Sequence, residues 1–317
     1  MKGGIYDLFF KMRNAAWPLF ARHATAMQFP HPIFIVSPPR SGSNFLFECL
    51  AQFPDMFHHR EEANEPWRRV LKPVADSDFH DSVPVSVITP QNSAELYRDY
   101  YRGCLFHALR SCPSRIRPSH LQGSRPLRYL DKTIGNCFRL DALKMIFPEA
   151  RFIFLRRDPR ATISSMMKGW VGEKFRHRYA TPVLENSDDA TMKRWSYPAP
   201  PGWYERRCDS VAAACCWSWL QHMNAVLDFE GRMSEERCLV KYEDLTADLP
   251  GEMNRLSSTL QLEPTKHVAD YLKNPPLSRT THTEPRPDKW MDDREALLES
   301  WESVRETALR SGYSESP

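Results

Sequence analysis

The 317-residue sequence has no apolar run that approaches the length needed to span a bilayer. Its first twenty residues interrupt their apolar positions with Lys2, Asp7, Lys11, Arg13 and Asn14, so they do not read as a secretory signal. Charge of one sign is also scarce. Lys and Arg total 43 against 40 Asp and Glu, a formal net charge of +3. That balance does not argue for nucleic acid as a partner, though it suits an anionic ligand. None of the eight cysteines has the spacing of a zinc knuckle, and no ligand set for a metal is evident. Buried free thiols in a reducing, cytoplasmic setting are the simplest expectation. Glycine is sparse as well, at 12 residues. The turn that follows the first apolar segment holds one glycine, Gly42, and no lysine follows it. That argues against the Gly-x-x-x-x-Gly-Lys-[Ser/Thr] loop of nucleotide kinases and ATPases. There is no internal repeat and no interdomain linker.

What is present centres on Phe34-Ile-Val-Ser-Pro-Pro-Arg-Ser-Gly-Ser-Asn-Phe-Leu-Phe-Glu-Cys-Leu50. The apolar run Ile33–Val36 suits a strand buried on both faces. Pro38, Pro39 and Gly42 make a turn, with Ser43 and Asn44 as helix N-caps. Phe45, Leu46, Cys49, Leu50 and Phe53 then recur at helical spacing. A strand, a tight loop and a helix start together form an anion cradle of outward N–H groups and positive helix potential. Arg40 adds a guanidinium fork, and Ser41 and Ser43 add hydroxyls.

Further along, strands and helices alternate. Strands are expected over 128–132, 151–156 and 238–242, with another ending near His58 or His59. Helices are expected over 93–109, 138–147, from Asp158-Pro159 onward, 211–229, roughly 250–261 and, as one closing amphipathic helix, 290–312. Alternation of this kind predicts an α/β domain with a parallel sheet covered on both faces. Residues 1–30 read as a helical extension, lying on the domain or on a membrane surface, and 31–317 as the domain itself. Residues 173–209, long and rich in Trp and Tyr, read as a substrate-side insertion or lid. Arg156, Arg157 and Arg160 crowd a helix start whose dipole repels them, which calls for an anion there. The cluster His58-His-Arg-Glu-Glu-Ala-Asn-Glu-Pro-Trp67 would reach the same sheet edge as Arg40.

Pro39-Arg-Ser-Gly-Ser-Asn-Phe-Leu46 resembles the 5′-phosphosulfate loop of the sulfotransferase family, which uses 3′-phosphoadenosine 5′-phosphosulfate (PAPS). Leu155-Arg-Arg-Asp-Pro-Arg-Ala-Thr-Ile-Ser-Ser165 resembles that family's 3′-phosphate element. Arg157 matches its arginine and Ser165, eight residues on, its serine, with Ser164 as the neighbouring alternative. Tyr242-Glu-Asp-Leu245 resembles the segment whose tyrosine lies near adenine. Asp131-Lys-Thr133 resembles the family's Lys-Thr strand end, and Pro287-Asp-Lys-Trp-Met and Leu309-Arg-Ser-Gly-Tyr313 the end of bacterial sulfotransferase domains. The resemblance implies a P-loop-NTPase-like central parallel sheet flanked by helices and transfer of a sulfuryl group from PAPS to a hydroxyl of a sugar, lipid or other alcohol. It implies cofactor contacts from Arg40, Ser41, Gly42, Ser43, Asn44, Phe45, Arg157, Ser165, Tyr242, Arg286 and Lys289. Lys132 would reach the transferring group, and no metal is required. The histidine that follows Lys-Thr in the phenol-type enzymes is replaced by Ile134, so a glutamate is the expected base. Glu62 fits the bacterial Glu-x-Asn-x-x-Trp pattern best, followed by Glu61 and then Glu65. The alternatives are a P-loop kinase and a catalytically silent nucleotide-binding module.

Overall fold

The computed structural model describes residues 29–59, 62–71, 80–111, 115–121, 127–172, 179–180, 194–206, 208–233, 237–279, 281, 286 and 288–314. The expected extension (1–28 of it), Arg60, Glu61 and most of the first half of the 173–209 insertion lie outside the described residues. In chain order the strands are β1 (Ile33–Val36), β2 (Met56–Phe57), β3 (Arg128–Asp131), β4 (Arg151–Arg156), β5 (Tyr179–Ala180), β6 (Arg194–Trp195) and β7 (Cys238–Lys241). The helices are α1 (Ser43–Leu50), α2 (Glu65–Leu71), α3 (Pro90–Ser111), α4 (Pro118–Leu121), α5 (Leu140–Ile146), α6 (Pro159–Val171), α7 (Val211–Arg232), α8 (Tyr242–Ala247), α9 (Leu249–Leu260), α10 (Lys266–Lys273), α11 (Arg294–Trp301) and α12 (Arg305–Arg310). Five strands form a parallel sheet in the order β2-β3-β1-β4-β7, while β5 and β6 pair as a small antiparallel ribbon.

Apolar strands have period two, so the two faces of the sheet feed two cores. Phe34, Val36, Tyr129, Phe152 and Phe154 point to one face and pack with side chains from α3, α5 and α7. Ile33, Ile35, Leu130, Ile153, Leu155 and Val240 point to the other and pack against α1, α9 and α10. This two-sided burial is why β1 and β4 are uninterrupted apolar runs. A third core joins α6, α7, the 195–208 segment and the closing helices.

Local signals explain most element ends. Asp158 caps α6 by accepting from the Arg160 N–H, with Pro159 in the first turn. Ser210 caps α7 and Asp248 caps α9 in the same way. Helix α3 begins at Pro90, before the expected 93, because Thr89 and Asn92 form a reciprocal capping pair: each backbone N–H donates to the other's side chain, at 2.8 and 3.2 Å. The segment expected as one helix over 290–312 is instead a 3₁₀ turn, Lys289–Asp293, followed by α11 and α12. The Ser303 backbone N–H and hydroxyl both bond to the Ser300 carbonyl, at 3.3 and 2.7 Å, and interrupt the helical ladder. Leu298 and Leu309, placed inward by periodicity, are exposed as a result. Helix α10 and the short α4 were not expected. Among the described residues no helix is long and apolar enough to cross a membrane.

Candidate active site

Strand register brings the sequence motifs to one edge. Phe34 lies level with Asp131 on one side and Phe152 on the other, Phe57 with Tyr129, and Arg156 with Lys241. All five strands are parallel, so the residues after them leave at the same carboxyl edge. These are the 37–42 loop, His58, Lys132, Arg157 and Tyr242. In this order β1 is central, and the chain passes from its β3 side to its β4 side, which makes the edge beside it a switch point of the sheet.

Gly42, with φ +93°, occupies the cap position of α1, and no side chain caps that helix. Ser43 and Asn44, expected as N-caps, are the first helical residues instead. The left-handed backbone that the turn needs falls on the glycine, which tolerates it. The helix start thus has no side-chain cap competing for its N–H groups. An added Cβ at Gly42 would run into the Tyr242 ring, so loop and ring are in close contact. Arg40 also has positive φ, at 66°. Ser41 is buried, and among the described residues its hydroxyl has no hydrogen-bond partner. Ser43 is buried, Asn44 is half-buried, and Phe45 packs at the edge of the core under the sheet.

The second basic turn meets the first. Arg40 Nε donates to Ser165 Oγ at 3.2 Å, and Arg157 Nη1 donates to the Arg40 carbonyl at 3.1 Å. The Arg157 guanidinium lies over the Tyr242 ring, 4.5 Å from its centroid. Burial lowers the Arg40 pKa from the ordinary arginine value; Tyr197 opposes that shift, and the positive charge of Arg157 adds to it. The two guanidinium groups lie within electrostatic reach of each other, an arrangement that an anion between them would favour. The three-arginine expectation needs correction: Arg156 forms a buried ion pair with Glu230, and Arg160 pairs with Asp158 at 2.6 Å. Only Arg157 of the three has no carboxylate partner among the described residues. The serines divide in a similar way. Ser164 donates to Asp293 Oδ2 at 2.5 Å on the far side of α6, leaving Ser165 toward Arg40.

On the other side of β1, Lys132 Nζ is 3.5 Å from Glu62 Oε1, and Asn64 Nδ2 donates to Glu62 Oε2 at 3.2 Å. The Glu62-Ala-Asn64 segment is held from below. Ala63 N–H donates to Thr133 Oγ1 at 2.6 Å, and Arg139 Nη2 donates to Asn64 Oδ1 at the same distance. Buried Asp131 accepts from Thr133 and Asn136, and Asn136 Oδ1 accepts from Arg139 Nε. Burial raises the Asp131 pKa while these hydrogen bonds pull it down. Trp67 stacks under Arg139 and donates to the Tyr100 hydroxyl. The signal for this network was in the Asp131-x-Thr-x-x-Asn spacing, which sequence reading passed over. Glu61 lies outside the described residues, and Glu65 begins α2 with its side chain exposed. His58 and His59 sit at the strand end as packing residues. His59 lies against Tyr100 and Tyr129, and burial lowers the His58 pKa.

Lys289 stands among like charges. Burial first, then Lys168, Arg286 and Arg157, lower its pKa. Arg286 is exposed and pairs with Asp292 at 2.6 Å. Trp195, Tyr197 and Trp203 of the insertion are buried in the third core, with the Tyr197 hydroxyl donating to the Met166 carbonyl at 2.6 Å. Among the described residues no group of three His, Cys, Asp or Glu could hold a metal ion, and seven cysteines are buried.

Several solved structures are similar. One is sulfotransferase STF1 from Mycobacterium tuberculosis H37Rv, with 15% identity over 91% of this chain and 81% of that one and a TM-score of 0.46. Another is sulfotransferase STF9 from Mycobacterium avium, with 14% identity over 92% and 80% and a TM-score of 0.48. A third is mouse sulfotransferase SULT7A1 complexed with PAP, with 12% identity over 91% and 86% and a TM-score of 0.41. No curated protein matches the sequence. The family model described as "Sulfotransferase family" matches residues 32–199, more than half of the chain and the stretch that carries the loop, Glu62, Lys132, Arg157 and Ser165. By that match the chain belongs to the sulfotransferase family.

Proposed function

We propose that this sulfotransferase takes its sulfuryl group from PAPS and passes it to a hydroxyl of a small-molecule acceptor, a sugar, lipid or other alcohol, with Glu62 as general base. The observation that carries the donor reading is the meeting of Arg40 and Arg157 at one strand edge, Arg157 without a carboxylate partner among the described residues. A bisphosphorylated nucleotide is an anion suited to two guanidinium groups that converge at one edge. In this reading the 37–42 loop, Arg40, the Ser41 hydroxyl and the start of α1 hold the 5′-phosphosulfate. Arg157 and Ser165 hold the 3′-phosphate, with Lys289 and Arg286 adding positive potential. Tyr242 lies beside the adenine. Buried thiols suit a reducing compartment such as the cytoplasm.

The chemistry balances as follows. The acceptor oxygen attacks sulfur, its proton passes to Glu62, and the bond between sulfur and the bridging oxygen of the 5′-phosphate breaks. The products are a sulfate ester and adenosine 3′,5′-bisphosphate. Charge grows on the departing phosphate, where Lys132 and Arg40 oppose it, so catalysis is mainly positioning and electrostatics. The contact of Lys132 with Glu62 supports this reading, in which the base lies beside the group that steadies the sulfuryl oxygens.

Isothermal titration with adenosine 3′,5′-bisphosphate tests the donor. Binding to the unaltered protein that weakens at least about tenfold in Arg157→Ala is expected, since a charge-assisted contact contributes roughly 1.5–3 kcal/mol. Absence of binding heat, or an unchanged affinity in that variant, refutes it.

A further inference from the structure

Residues 311–313 lie across the strand edge that presents Arg157, and they bond there to Arg156, to Lys241, which is level with Arg156 in the sheet, and to Glu243 just beyond it. The Ser311 carbonyl accepts from Arg156 Nη1 at 3.2 Å. The Gly312 carbonyl accepts from Lys241 Nζ at 3.5 Å, and the same ammonium lies 5.4 Å from the centre of the Tyr313 ring. The Tyr313 hydroxyl donates to Glu243 Oε2 at 2.8 Å, while the other carboxylate oxygen of Glu243 accepts from the Asp158 backbone N–H at 2.9 Å. Arg157 is thus flanked on both sides. Arg156 is tied directly to this segment, and Asp158 is tied to it through Glu243. Lys241 and Glu243 also bracket Tyr242, the ring on which Arg157 rests.

The segment is itself rigid. The Tyr313 N–H bonds to the Ala308 carbonyl at 3.1 Å and the Gly312 N–H to the Leu309 carbonyl at 2.8 Å, with Gly312 at φ +85°. That is a Schellman ending, in which glycine takes the left-handed position and the helix dictates the path of the next two residues. Helix α12 is in turn fixed to α7 through Thr307 and Arg310, which donate to Asn224 at 3.0 and 3.1 Å. Glu243 is an exposed residue, and neither it nor Tyr313 faces the 37–42 loop with a hydrogen bond.

We infer that Ser311–Tyr313 is a strap that positions Arg157 for the nucleotide's 3′-phosphate, with Glu243 transmitting its hold to the Asp158 backbone. Tyr313 and Glu243 are positioning residues: they act through Arg157. The inference rests on the PAPS reading above for what Arg157 grips, but not for the strap itself.

The test compares two nucleotides in the full chain by isothermal titration. Tyr313→Phe removes one hydroxyl and leaves the ring on Lys241. It weakens adenosine 3′,5′-bisphosphate by about three- to tenfold, the range of one lost hydrogen bond to a charged group, and changes adenosine 5′-monophosphate less than twofold. Glu243→Ala does the same or more. Glu243→Gln, whose amide can accept from Asp158 and donate to Tyr313, restores affinity to within about threefold. Equal losses for both nucleotides, or none, overturn the inference, because a merely structural strap does not discriminate a 3′-phosphate. A second measurement needs no nucleotide: hydrogen exchange at the Asp158 amide, slow in the unaltered protein and in Glu243→Gln, speeds up in Glu243→Ala and Tyr313→Phe. If neither nucleotide binds the unaltered protein, the PAPS reading fails and amide exchange alone decides the strap. Exchange unchanged by both variants sinks it.

Discussion

Replacing Gly42 with alanine tests the geometry of the loop and its neighbours in one step. Gly42 has φ +93°, so any side chain there carries left-handed backbone strain of about 1–2 kcal/mol. The new methyl would also lie 2.5 Å from Cε2 of Tyr242, closer than carbon atoms approach, so the ring must move. That ring cannot move freely, because the Arg157 guanidinium lies over it at 4.5 Å. Displacing it forfeits the cation–π contact, roughly 0.5–2 kcal/mol in a partly buried setting. Together the single substitution costs about 1.5–4 kcal/mol. The two contributions separate in a double-mutant cycle. In a Tyr242→Ala background the clash is gone, so Gly42→Ala costs only the backbone strain, and the coupling is roughly 0.5–2 kcal/mol. Urea unfolding of the four proteins gives the coupling in stability. Titration with adenosine 3′,5′-bisphosphate shows how much of it reaches the site. If Gly42→Ala costs the same with and without the Tyr242 ring, loop and ring are not in contact, and the convergence of the two basic turns is wrong.

Glu62→Gln keeps the shape of the side chain and its acceptor toward Asn64 but removes the base. Turnover falls by about a hundred- to ten-thousandfold while bisphosphate affinity stays within about threefold, and steady-state kinetics with a radiolabelled donor that show an unchanged kcat assign the base elsewhere. His222 gives a pH signature that is independent of function. It is fully buried on α7, its ring nitrogen Nδ1 donates to the Ser218 carbonyl at 2.7 Å, and burial pushes its pKa down from 6.5 to about 4. The unfolded chain binds that proton more readily. Stability from a neutral His222 is therefore complete above about pH 6.5 and declines as pH falls toward 4, by roughly 3 kcal/mol in all. Urea midpoints between pH 7.5 and 4.5 therefore fall less steeply in His222→Gln than in the unaltered protein; parallel slopes refute the assignment.

Much of the fold is legible because two-sided burial writes itself into sequence: Ile33–Val36 and Phe152–Leu155 are apolar without a break, and the residues that follow them turn sharply. The loop and the basic turn at Arg157 are legible for the same reason, since each follows a strand whose end the sheet must expose, whereas Ser165, Lys132 and the choice of Glu62 came from the family resemblance. Periodicity failed where local hydrogen bonds compete with a helix. Ser303 breaks the 290–312 pattern through its bonds to Ser300, and Gly42, not Ser43, takes the cap. Within the Asp131–Thr133–Asn136–Arg139–Asn64 network only the Asp131-x-Thr-x-x-Asn spacing was there to be read; the link to Asn64 was not legible, because it comes from a distant segment that the β2–β3 pairing brings alongside.

Charge accounting shows why a motif alone overcounts a site. Arg156, Arg157 and Arg160 look equivalent in a sequence and stand at the same helix start. Arg156 points back into the fold, where Glu230 on α7 neutralises it, so its loss would leave a buried carboxylate unpaired and cost stability first. Arg160 turns onto Asp158 and the Trp290 ring, a local arrangement that steadies α6. Arg157 alone projects to the sheet edge, where its contacts are a carbonyl of the facing loop and an aromatic face, neither of which cancels a positive charge. A ligand that binds there gains from that surplus without first breaking an ion pair. The same accounting separates Ser164, held by Asp293, from Ser165. Partner counting of this kind therefore predicts opposite variant behaviour from adjacent residues: Arg156→Ala lowers the melting temperature, whereas Arg157→Ala lowers nucleotide affinity with little change in melting.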